Sequence, residues 1–74
     1  MAKGDIETYN DDGVWKNRAE GNSRASNTAP TKAEAQAKGR EMARERHVEH
    51  IVKKLDGTIG ERNSYGHDPY PPKG

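Results

Sequence analysis

The chain holds very little from which to build a core, and that scarcity limits what it can fold into. Its large aliphatic residues are Leu55; Ile6, Ile51 and Ile59; Val14, Val48 and Val52, with no Phe in 74 residues. That is far below the ~20% of Leu, Ile, Val and Phe under which chains tend to be disordered. The second mark of disorder, a large net charge, is missing: 13 basic and 12 acidic side chains leave +1. Burying about ten apolar side chains contributes roughly 1.5–3 kcal/mol each. Backbone ordering opposes this at roughly 1–2 kcal/mol per residue. The expectation is one small domain over residues 1–74 that is marginal as a lone monomer or gains its core by dimerising.

Other classes are narrowed by what the chain lacks. There is no cysteine, hence no disulfide framework and no thiolate metal site. Met1-Ala2-Lys3-Gly4-Asp5 carries no apolar segment of the kind a signal peptide needs. The longest unbroken run of large aliphatics is Ile51-Val52, too short to span a bilayer. A cytoplasmic location is the expectation.

Local signals order the chain. Residues 5–9, Asp-Ile-Glu-Thr-Tyr, alternate as a strand does. Asp12-Gly13 supplies the positive-φ pair of a hairpin turn, and Val14-Trp15-Lys16-Asn17 returns as a second strand. A short third strand is expected over Ser23–Asn27. Thr31 with Glu34 three residues on reads as a capping box, opening a helix over about 32–46. The stripe Ala35, Gly39, Met42 and Ala43 faces inward. Its residues are small, so the helix can lie close to a sheet, and close approach to Trp15 is the expected reason for Gly39. Val48–Leu55 is the strongest strand, Asp56-Gly57 a second hairpin turn, and residues 58–62 the returning strand. The fold class is therefore α+β: a small antiparallel sheet, β-β-(β)-α-β-β, with one amphipathic helix on one face. A proline-rich segment follows.

That segment, residues 63–74, has three prolines, which exclude a helix or central strand. It also holds Tyr65 and Tyr70, rings of a kind disordered tails lack. Asn63–Gly66 reads as a turn leading into an ordered tail. The tail is expected to cover Trp15, swap onto a second copy or enter a partner's groove through Tyr65, Tyr70 and Pro71.

The sequence runs Thr31-Lys32-Ala33-Glu34-Ala35, Arg40-Glu41-Met42-Ala43, Asp56-Gly57 and Glu61-Arg62-Asn63-Ser64-Tyr65-Gly66, then Asp68-Pro69 and Pro71-Pro72-Lys73-Gly74. Together they resemble a widespread small bacterial family, the domain of unknown function numbered twenty-one eighty-eight. Trp15, Arg18 and Ser23–Ser26 resemble that family's first half. The resemblance implies a stand-alone β/α domain from a bacterium or its phage, and no activity. Gln36 and His50 stand where apolar residues are expected, which makes the core leaner still. The hairpin-plus-helix layout is also similar to other small domains that pair through their sheets, an analogy of fold alone.

Chemistry-bearing patterns are few. His47 and His50 flank the helix-to-strand junction, and only His67, Asp68 or a glutamate could complete a metal set of no known spacing. Surface histidines are the plainer reading. Ser23, Ser26 and Ser64 lack a nucleophile-elbow context. A chain this poor in apolar residues can hardly enclose a carboxylate for acid–base work. No catalytic residue, metal, cofactor, small-molecule substrate or membrane partner is expected. Lys16, Arg18 and Arg24 on the first half and Lys53, Lys54 and Arg62 on the second could line one nucleic-acid-binding face, with Trp15 or Tyr65 stacking on bases. Acidic residues share those strands, so a mixed-charge solvated face is the plainer reading. The expected function is a non-enzymatic, self-associating interaction module. Nucleic-acid binding is the alternative, and a phage or bacterial accessory or inhibitor role a further one.

Overall fold

The computed structural model describes residues 4–65. Strand β1 (Ile6–Asp11) and strand β2 (Val14–Ala19) form a hairpin whose two loop residues both take positive φ, Asp12 at 54° and Gly13 at 89°. That hand of turn matches the right-handed twist of the strands it joins. Asn10 Oδ1 accepts the Gly13 N–H at 3.0 Å and closes the loop.

Strand β3 is Asn27–Ala29, so residues 23–26 form a loop rather than the expected strand. Two serines, an arginine and an alanine offer little apolar surface to bury, while Ala29 is buried. Helix α1 is Lys32–Arg46, with Thr31 Oγ1 accepting the Glu34 N–H at 3.2 Å. The Glu34 carboxylate lies toward Lys38, 4.0 Å away, so the capping box acts through its threonine arm. The helix ends at His47, whose φ of 57° is left-handed and whose N–H reaches the carbonyls of Ala43 and Arg44. Strand β4 (Glu49–Lys53) and strand β5 (Ile59–Ser64) form the second hairpin. Asn63 and Ser64 extend β5 instead of opening a turn, because they pair with His50 and Glu49.

The five strands lie in the order β3-β2-β1-β4-β5. The class is α+β, but the sheet is mixed rather than antiparallel: β1 and β4 run parallel, with Ile6, Glu7 and Thr8 opposite His50, Ile51 and Val52. The helix imposes this. It carries the chain back along the sheet, so the strand after it runs in the same direction as β3 and hence as β1.

Alternation assigns the faces. Ile6, Thr8 and Asn10 pair with Ala19, Asn17 and Trp15 on the helix side; Glu7 and Tyr9 pair with Arg18 and Lys16 on the other. The helix buries Ala35, Gly39 and Ala43, spaced four apart. Ile6, Ala19 and Ala43 pack as one cluster, with Met42, Val48 and Tyr65 against it, and Ala29, Ala35, Ile51 and Val52 are buried as well. Of the seven large aliphatics, Val14, Leu55 and Ile59 remain exposed.

Candidate functional site

The interior is polar where a larger domain would be apolar. Beneath the helix, Thr8, Asn17 and His50 are all at most 1% exposed. Asn17 donates its two amide hydrogens to Asn27 Oδ1 at 2.8 Å and to the Ala35 carbonyl at 2.9 Å. Its oxygen therefore faces Thr8, whose hydroxyl donates to it at 2.5 Å. With that hydrogen committed, Thr8 Oγ1 accepts from Nε2–H of His50 at 2.7 Å, which fixes the tautomer of the neutral ring. Burial lowers the pKa of His50 below its ordinary 6.5; Arg40 acts in the same direction and Glu61 against it. Gly39 allows this closeness. A methyl there would lie 2.5–2.6 Å from Asn17 Oδ1, His50 Nε2 and Thr8 Oγ1. Gly39 thus accommodates these three residues rather than Trp15.

On the opposite face the centre is Glu7, 1% exposed although on the side away from the helix. Its carboxylate pairs with Lys53 at 2.7 Å and with Arg18. Burial alone would raise its pKa, but hydrogen bonds and charge from Lys53 and Arg18 outweigh that and hold it below the ordinary value. The Arg18 guanidinium also lies over the Tyr9 ring, 5.0 Å from its centroid. Lys16 meets Asp11 at 2.9 Å and Arg62 approaches Glu49 at 3.8 Å.

Two open features among the described residues bear on function. One is the outer edge of β5, which pairs with β4 only, among the described residues. The other is a cleft of about 420 Å³ lined by Trp15, Lys32, Lys54, Leu55 and Asp56.

The residues singled out in the sequence are distributed as follows. Lys16, Arg18, Lys53 and Arg62 share the face opposite the helix, and each stands near a carboxylate. Arg24 lies in the β2–β3 loop and Lys54 in the turn after β4. Trp15 is on the helix side, away from the shared cationic face. Tyr65 packs against the chain's own core. Tyr70, Pro71, His67 and the rest of the tail lie outside the described residues. Among the described residues, no three His, Asp or Glu side chains come together as a metal site, and no helix is long and apolar enough to cross a membrane. Thr8, Asn17 and Glu7 were not legible as buried residues, although a histidine at an apolar position in β4 was a signal of the polar layer.

A two-hairpin mixed sheet carrying one helix defines a small α+β domain. A family model described as "Uncharacterized protein conserved in bacteria (DUF2188)" matches residues 6–65, and the chain belongs to this family. No curated protein and no solved structure matches it significantly.

Proposed function

We propose that the domain is a non-enzymatic interaction module that self-associates by pairing β5 with β5 of a second copy. The observation that carries this reading is the asymmetry of the two sheet edges. β3 has three residues, is followed by Pro30, and has its Thr28 carbonyl engaged by Lys38 Nζ at 3.1 Å. These are ways of blunting an edge. β5 has six residues, and only Asn63 among them is even half-buried.

A two-fold axis restricts the register. Directly opposite residues in an antiparallel pair share a face, so the axis must pass between a residue and its own copy. Placing it at Glu61 or Arg62 sets like charges opposite each other. At Gly60 it would set Ile59 against a glutamate, and the Lys54 stem already crowds that position. At Asn63 it sets amide against amide and Arg62 opposite Ser64 of the partner subunit.

Sedimentation equilibrium tests the reading. The full chain is expected at twice its 8.2 kDa mass. Asn63→Lys places two ammonium groups on the axis and is expected to give a folded 8.2 kDa monomer. A wild-type chain that stays monomeric at its highest soluble concentration overturns the reading.

A further inference from the structure

We propose that the cleft beside Trp15 binds single-stranded nucleic acid, with a base stacked on the indole and phosphates held by Lys32 and Lys54. The cleft differs from the cationic face on the far side of the sheet. There the lysines and arginines stand beside Asp11, Glu7 and Glu49. Among the described residues no carboxylate lies within 4.0 Å of the Lys32 or Lys54 ammonium group, so both charges are available to a ligand. Lys32 Nζ hovers 5.7 Å from the centroid of the Trp15 ring. The Lys54 stem lies against Gly60, its Cγ 3.1 Å from where a side chain there would begin. The acid on the rim, Asp56, is engaged by the Thr58 N–H at 3.0 Å and hydroxyl at 2.7 Å, and the Lys54 charge attracts it only as a weaker, longer-range influence. Leu55, 77% exposed, gives the cleft an apolar wall.

An aromatic ring and two cations outside any close ion pair, lining one cleft, suit a planar base joined to anionic phosphates. A cleft of about 420 Å³ holds a ligand of that size. The lone cation–π contact of an exposed lysine is weaker than a base–aromatic stack, so Lys32 can leave the ring for a phosphate. An acidic peptide fits less well. Trp15 lies on β2, which is flanked by β3 and β1. Among the described residues no free strand edge adjoins Trp15 for peptide backbone, so recognition rests on the ring and the charges.

Trp15 is the only tryptophan, so its emission reports on the cleft directly. The full chain would be titrated with an oligothymidylate of about twelve nucleotides, with thymidine monophosphate, and with polyglutamate. The oligomer is expected to quench the emission, the mononucleotide to bind more weakly, and polyglutamate to leave it unchanged. Two phosphate contacts on a single strand give a log–log salt slope of about −1.4, or roughly 7-fold weaker binding between about 50 and 200 mM salt. Lys54→Ala and Lys32→Ala should each weaken binding, and together they should flatten the salt dependence, with circular dichroism unchanged. Absent quenching at low salt overturns the proposal, as does equal quenching by polyglutamate or wild-type affinity in the double variant. Equal affinity for the mononucleotide and the oligomer overturns the single-strand assignment in favour of free nucleotides.

Discussion

Thr8 Oγ1 lies 2.7 Å from Nε2 of His50, across the one parallel pair in the sheet and directly under Gly39. This contact ties the first hairpin to the second, and His50 is kept neutral because burial penalises its charged form. The sign of the resulting pH dependence follows. The ring's pKa is lowered in the folded chain, so the unfolded chain takes up the proton first as pH falls. Stability is therefore complete above about 6.5 and declines below it, toward the lowered folded value. Arg40 opposes protonation and Glu61 favours it, but neither reverses the direction. The urea midpoint should drop between pH 7.5 and 5.5 in the native chain. In His50→Gln, whose amide can still donate to Thr8, the drop should be much smaller. An equal drop in both would place the titrating group elsewhere.

Gly39→Ala reverses the usual rule for helix interiors. At an ordinary helical site the change stabilises by up to about 1 kcal/mol. Here the new methyl meets three fixed polar atoms at 2.5–2.6 Å, and none of them is the loose end of an exposed chain. Overpacking of this kind costs about 1–3 kcal/mol. A urea melt of Gly39→Ala should therefore show a lower midpoint than the native chain. A raised midpoint would mean that the helix can lift off the Thr8–Asn17–His50 layer without loss.

Why some of this architecture was readable and some not follows from the range of each signal. The first turn depends on Asn10, Asp12 and Gly13, and the helix start on Thr31 and its third neighbour, so both stand in the local sequence. The pairing of residues 6–8 with 50–52 has no local mark. It arises only once the helix has turned the chain round. Nor does alternation reveal which polar residues are buried. Thr8 and Glu7 read alike as strand residues, yet one is satisfied by Asn17 and His50 and the other by cations from β2 and β4. Each depends on partners at least nine positions away.

Glu7→Gln tests the ion cluster on the far face. The substitution leaves Arg18 and Lys53 without their shared anion. Both are partly exposed, with side chains 32% and 24% accessible, so solvent recovers part of the loss. The expected cost is about 1–3 kcal/mol. Acid titration gives the sign independently. Glu7 has a lowered pKa in the fold, so its contribution is full above its ordinary 4.5 and is lost as pH falls below that. Urea melts of the native chain and Glu7→Gln should differ most near neutrality and converge in acid. A constant gap across that range would rule out the carboxylate charge as the cause.

Gly13 sits at φ 89° in a two-residue loop between Asp11 and Val14, which face each other across the hairpin. Nothing lies within 4 Å of the position a side chain there would take. Any loss on substitution must therefore come from the backbone and not from a clash. An L-residue held at such a φ costs about 1–2 kcal/mol. For a domain of this length each kcal/mol lowers Tm by about 4–8 °C. Gly13→Ala should melt earlier by that amount. A chain made by chemical synthesis with D-alanine at position 13 separates the two causes, since a D-residue prefers positive φ. It should melt at or above the native temperature, whereas equal losses from both enantiomers would show that the turn rejects the methyl itself.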